Sequence, residues 1–243
     1  MKLYLHNSDK NDEKNALAAC VNDFCGRSEA VEIGLGAHGK PYFAEPALRG
    51  THFSVSHSGR YWAALFADAE VGLDIEDISI RGRLTEAKME KIAARFFSEA
   101  ERVFFSRGAD AAALSEKNLT GYSDSAIRFF NIWTAKESYI KYTGNGMSEG
   151  LASFSVFDPP GGVTITTMSP APALLCSYCT SGEEEPEVVW LSERKEKAAI
   201  YSLNDGTCND GTCNDGTCND GTCNDGTCND GKCNDGQTEA PGV

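Results

Sequence analysis

The chain has 243 residues, of which 41% are hydrophobic, and carries a formal net charge of −14. That length suggests one or two domains of roughly 100–200 residues each, with enough apolar material for a real core. The acidic balance argues against non-specific nucleic-acid binding, which needs a basic footprint, and no run approaches the ~18 apolar residues of a membrane span.

The opening "MKLYLHNSDKNDEKN" turns polar after five residues, so no signal-peptide apolar region is expected and the protein reads as cytoplasmic. "KLYLHN" alternates like a strand, and "ALAACVNDFC" reads as a short helix. "HGKPYF" places Lys40 before Pro41 in a turn that would hold the ammonium at the surface. "HFSVSHSG", "YWAALFAD" and "VGLDIEDI" are three successive predicted strands, with "GR" and "AE" as tight connections. "LTEAKMEKIAARFFSEAERVFFSR" has the periodicity of two helices, and "DAAALSEKNLTGYSDS" is a polar connection. "AIRFFNIWTAKESYIKYTG" is a strong helix that Gly144 ends. "LASFSVFD", "VTITTMS", "ALLCSYCT" and "EVVWLSE" are strand-like. Strands, helices and strands again predict an α+β fold with halves at residues 1–100 and 101–203. Each half would pair helix with a small antiparallel sheet, and the interface between them is the natural ligand cleft.

From Asn204 the chain reads NDGTC five times, then NDGKC, NDG and "QTEAPGV". Residues 204–243 hold seven Asp, one Glu and one Lys, half of the net charge. With no large apolar residue this tail cannot bury a core, so disorder is the expectation, although stacked turns or cysteine clusters holding a metal are conceivable. Six of the ten cysteines lie in the repeat. The other four are Cys20, Cys25, Cys176 and Cys179. "CSYC" spells CxxC, but it sits in a predicted strand without a second pair at zinc-site spacing, so structural thiols are expected.

Three segments offer chemistry. In "VGLDIEDI", Asp74 and Glu76 are two apart on a strand and share a face, while Val71, Leu73 and Ile75 turn to the core. Two adjacent carboxylates repel, so that face needs a cation or solvent, an exposed edge being the simpler reading. In "IWTAKESYIKYTGNG", Glu137 sits mid-helix and would complete a three-carboxylate oxygen site suited to Mg²⁺. The alternative for Glu137 is an i, i+4 ion pair with Lys141, with Lys136 snorkelling. In "SVSHSGR", Ser56, His57, Ser58 and Gly59 offer hydroxyls, an imidazole and backbone N–H groups to a phosphate, or form a polar turn.

Taken in order, "GKPYF", "FSVSHSGRYW", "VGLDIE", "KIAARFFSEAE" and "FFNIWTAKESYIKYTGNGM" resemble the 4′-phosphopantetheinyl transferases of the Sfp type. The resemblance spans roughly Gly39 to Phe157, and D-x-E and W-x-x-K-E-x-x-x-K stand at the family's separation, 63 residues from Asp74 to Glu137. It implies a pseudo-two-fold pair of α+β halves, with the site between them, acting as a monomer.

The resemblance also implies a reaction. The phosphopantetheine arm of coenzyme A passes to a serine of an acyl or peptidyl carrier protein, 3′,5′-ADP leaves, and Mg²⁺ is the usual metal. By the same resemblance Asp74, Glu76 and Glu137 bind metal, and Glu137 is a candidate base. Lys141 reaches the pyrophosphate, Lys136 lies near the phosphates, His57 with Ser56 meets the 3′-phosphate, and Lys40 contacts coenzyme A. Only 38 residues precede Gly39, fewer than in fuller members of the family, and their basic residues cannot be aligned to the family's 3′-phosphate grip. A non-catalytic coenzyme A or carrier-binding module, and a Mg²⁺-dependent phosphodiesterase, are the competing readings.

Overall fold

The structure, a computed structural model, describes residues 1–7, 13–81, 84–106, 117–146, 150–182 and 184–191, and the backbone of 228–229 and 232–233. The chain forms two compact units, Met1–Tyr201 and Ser202–Val243. The first begins with β1 (Lys2–Asn7), α1 (Glu13–Cys25) and a small hairpin of β2 (Ile33–Leu35) and β3 (Pro41–Phe43). Next come β4 (His52–Ser58), β5 (Tyr61–Ala67) and β6 (Val71–Asp77). Among the described residues, four α-helices follow: α2 (Ile78–Arg81), α3 (Glu86–Phe96), α4 (Glu99–Ser106) and α5 (Asp124–Thr143). The strands β7 (Thr164–Ala171), β8 (Leu174–Thr180) and β9 (Glu187–Trp190) complete the unit.

Two sheets result. The first has the order β4-β5-β1-β9, antiparallel except that β9 runs parallel to β1. The second, β6-β8-β7, is antiparallel throughout. The expected α+β class of small, mainly antiparallel sheets with helices is what the chain adopts. The change of sheet falls between β5 and β6: β6 pairs with β8, and residues of α3 and α5 pack in one core with Leu175 of β8.

Burial explains the patterns. Every residue of β5 is buried, which is why it reads as a continuous apolar run. Trp62, Ala64 and Phe66 pack toward α1 with Tyr4, Cys20 and Val21. Ala63 and Leu65 pack the other way, with Leu3, Leu5, Leu73 and Ile75, between the two sheets. A third core gathers Phe97, Phe105, Phe129, Phe130 and Ile132 under α3, α4 and α5.

One expectation needs adjustment. "LASFSVFD" is not a strand: Leu151–Ser153 is a 3-10 turn, entered from Gly150 at φ 71°, and Ser155 makes an isolated bridge to Asp158. The carbonyls of Leu151 and Phe154 are turned instead to the ammonium of Lys136. The polar connection after α4 lies outside the described residues over 107–116.

Cys176 and Cys179 are buried free thiols on β8. A spacing of three on a strand puts them on opposite faces, one in the core with Leu73, the other with Tyr139 and Phe154. Burial pushes the Cys179 thiol up to about 12. In the tail, β10 (Cys228–Asn229) pairs antiparallel with β11 (Lys232–Cys233). The rest of the repeat lies outside the described residues.

Candidate active site

The site is built where α5 crosses β6. Ser123 caps the helix, its hydroxyl accepting from the Ala126 N–H, and Gly144 closes it at φ 68° with its N–H donated to the Ile140 carbonyl. Between these ends the helix is buried along most of its length, from Ile127 to Ile140. Its approach to β6 is so close that a Cβ on Gly72 would meet backbone atoms of Ser138 and Tyr142. A glycine inside a strand is costly unless another backbone must come near, and here one does.

That contact brings four charges together. Lys141 donates to Asp74 Oδ1 at 2.9 Å and to Ser56 Oγ at 2.9 Å, so one ammonium spans α5, β6 and β4. Asp74 and Glu76 are buried, 8% and 6% exposed, and side by side on one face of β6 as the period of two requires. Ser56 donates to Asp74 Oδ1 at 2.9 Å, and Ser58 donates to Glu76 Oε2 at 2.7 Å. Glu137 lies half-buried one helical turn before Lys141.

The electrostatics mark the cluster. Burial pushes the Asp74 carboxyl up, opposed by Lys141 and Ser56 and reinforced by Glu76. Burial also pushes Glu137 up, reinforced by the charges of Asp74 and Glu76 and opposed by Lys141. Lys141 pairs with Asp74 and opposes the shift of Glu137, while Glu76 accepts from Ser58, so one ammonium serves two of the three carboxylates. Their oxygens form a hard donor set of the kind a divalent cation accepts, and such an ion would relieve the mutual repulsion. Among the described residues no three acidic, imidazole or thiol groups already enclose a metal position. Asp74 is turned to Lys141 and Glu76 to Ser58, so a cation would have to compete with the lysine for Asp74.

Other predicted site residues lie elsewhere. Lys136 is not with the carboxylates. Its ammonium is fully buried on another side of α5, paired with Glu101 Oε2 at 2.9 Å and donating to the carbonyls of Leu151 at 2.6 Å and Phe154 at 2.9 Å. It also lies 4.2 Å from the centroid of the Phe154 ring. Burial lowers its pKa, and Glu101 opposes that shift. The expectation that Lys136 snorkels or lies near phosphates does not match these surroundings. His57 is exposed, and strand alternation puts it on the face of β4 opposite Ser56 and Ser58. Lys40 is half-buried, paired with Glu70 and donating to the Tyr142 carbonyl at 2.6 Å, which ties it to the end of α5. It helps to line a cleft of about 600 Å³ with Arg49, His52, Phe53 and Gly144.

A family model described as the 4′-phosphopantetheinyl transferase superfamily matches residues 70–198. The chain belongs to that superfamily. A 4′-phosphopantetheinyl transferase of Bacillus subtilis is 36% identical over 126 residues, 52% of this chain and 47% of that protein. The 4′-phosphopantetheinyl transferase Sfp of Bacillus subtilis strain 168 is 37% identical over 126 residues, with the same coverage. The 4′-phosphopantetheinyl transferase psf-1 of Bacillus pumilus is 35% identical over 127 residues, 52% of this chain and 46% of that protein. The chain thus spans about half the length of these curated relatives.

The superfamily match begins just before β6, so it includes Asp74, Glu76, Glu137 and Lys141 but stops short of Lys40, Ser56 and His57. Three features of the site and its helix escaped the sequence reading: Gly72, the hydroxyl of Ser58 acting on Glu76, and Glu101 as the partner of Lys136. The first had a signal in its isolated glycine within an apolar strand, and the second in the S-x-S-x-S alternation of β4. Glu101 had none, because it comes from a separate helix.

Proposed function

We propose that the chain is a 4′-phosphopantetheinyl transferase, moving the phosphopantetheine arm of coenzyme A to a carrier-protein serine and releasing 3′,5′-ADP. What supports this reading is the Lys141–Asp74 pair beside Glu76 at the α5–β6 contact, with Glu137 one helical turn from Lys141 and its carboxyl pushed up in part by the charges of Asp74 and Glu76. In it the serine oxygen attacks the phosphorus that bears the pantetheine, and the bond from that phosphorus to the 3′,5′-ADP oxygen breaks. Lys141, 31% exposed at its side chain, offers its ammonium to the pyrophosphate. Glu137, its pKa raised by burial and neighbouring charge, takes the serine proton. Asp74, Glu76 and Glu137 would hold Mg²⁺, which neutralises phosphate charge.

The cleft beside Lys40 and Gly144 is the proposed seat of the nucleotide portion, and His57 and Lys40 remain proposed contacts for it. The same reading takes the two halves, each a small sheet with a packed helix, as pseudo-two-fold partners in a cytoplasmic monomer. Among the described residues no helix is long and apolar enough to cross a membrane.

The test is intact-mass analysis of a panel of apo carrier proteins incubated with the chain, coenzyme A and Mg²⁺. A gain of one phosphopantetheine arm on the carrier is expected. Release of 3′,5′-ADP without a carrier would identify a phosphodiesterase, and coenzyme A binding without turnover a binding module.

A further inference from the structure

The edges of the two sheets meet at β4 and β6, and among the described residues no backbone ladder joins them. Serine hydroxyls stand in its place. Ser54, Ser56 and Ser58, at alternate positions of β4, accept the N–H groups of Leu73 at 3.0 Å, Ile75 at 3.2 Å and Asp77 at 3.0 Å. All three serines are buried. A hydroxyl has one proton and two lone pairs, so accepting from β6 leaves its proton to be given elsewhere. Ser56 gives it to Asp74, and Ser58 gives it to Glu76. Ser56 also accepts from Lys141, which fills its capacity.

We infer that Ser56 and Ser58 are positioning residues that aim Asp74 and Glu76 at the divalent cation, with Ser58 acting only through Glu76. This rests on the reading of those acids as metal ligands. Each serine takes its orientation from β6 and passes it to the carboxylate one residue before the N–H it accepts. The carboxylate is thereby held against rotation, as an outer partner holds a metal ligand. Ser54 supplies the internal comparison. It makes the same contact to β6 through Leu73 but has no neighbouring carboxylate on that strand.

The experiment compares Ser58→Ala, Ser58→Thr and Ser54→Ala with the unaltered full chain. Mn²⁺ binding without coenzyme A is followed by electron paramagnetic resonance, the Mg²⁺ dependence of transfer is measured, and thermal stability is recorded. Ser58→Ala is expected to weaken Mn²⁺ binding about tenfold, the scale of losing an outer partner of a metal ligand. It should raise the Mg²⁺ needed for half-maximal rate in parallel, leaving the KM for coenzyme A unchanged at saturating Mg²⁺. Ser58→Thr, which keeps the hydroxyl, is expected to restore metal affinity. Ser54→Ala is expected to lower stability as Ser58→Ala does while leaving metal affinity unchanged. Equal metal affinity for the Ser58→Ala and Ser54→Ala chains would overturn the positioning role and leave the metal reading standing. No Mn²⁺ binding by the unaltered chain would overturn the metal reading itself, and the positioning role with it.

Discussion

A Cβ placed on Gly72 would lie 2.0 Å from the carbonyl oxygen of Ser138, a separation no pair of non-bonded atoms tolerates. The obstacle is backbone, which cannot swing aside as a flexible side chain would. One missing methyl group therefore sets how near α5 comes to β6, and with it the spacing of Glu137 and Lys141 from Asp74.

Gly72→Ala is accordingly expected to destabilise the chain by about 3 kcal/mol or more, because overpacking against backbone has no cheap relaxation. Denaturant unfolding would measure it. If folded protein is recovered, transfer should fall far more than coenzyme A binding. A stability loss under about 1 kcal/mol would mean that the helix sits less tightly than described.

Lys136→Met is expected to cost about 3–5 kcal/mol, since it strands the carboxylate of Glu101 in a site with no exposure. Pairing it with Glu101→Gln should recover much of that loss, which a double-mutant cycle by thermal or denaturant unfolding would read. The doubly substituted chain should keep its KM for coenzyme A. A raised KM with unaltered stability would instead return Lys136 to the phosphates.

Glu137→Gln is expected to abolish transfer and, in the metal-free chain at neutral pH, to raise the melting temperature. The sign follows from the upward pKa shift. A carboxyl that holds its proton to higher pH when folded contributes stability below its ordinary range and loses that contribution as pH rises through the raised value. Removing the charge restores it. Melting curves with a chelator, from neutral pH down through the ordinary carboxylate range, should show the advantage of the glutamine chain vanish in acid. Excess divalent cation at neutral pH should reverse the advantage.

Deleting residues 204–243 is expected to leave both melting temperature and transfer rate within error, because the repeat brings no large apolar residue to any core. Side-by-side assays of the two chains would decide it.

The sequence was informative wherever a single strand or helix carried the signal. Asp74 and Glu76 could be placed on one face from a period of two, and the helix through Glu137 from its apolar spacing and its closing Gly144. The two helices of "LTEAKMEKIAARFFSEAERVFFSR" are α3 and α4. What a linear reading could not reach depended on partners far along the chain. Lys136 looked available until Glu101 and the carbonyls after Gly150 claimed it. Ser56 looked like a phosphate donor until β6 and Lys141 filled its hydroxyl. "LASFSVFD" had a strand's composition, but its carbonyls turned to a buried ammonium and left the extended course.

On the proposed reading, the neighbours Lys136 and Glu137 thus answer to different demands, Lys136 to holding the protein together through Glu101 and Glu137 to chemistry. A genetic screen that scores product alone would rank their losses alike. Soluble yield would separate them, with the glutamate variant accumulating as well-behaved but silent protein and the lysine variant being cleared by cellular proteases.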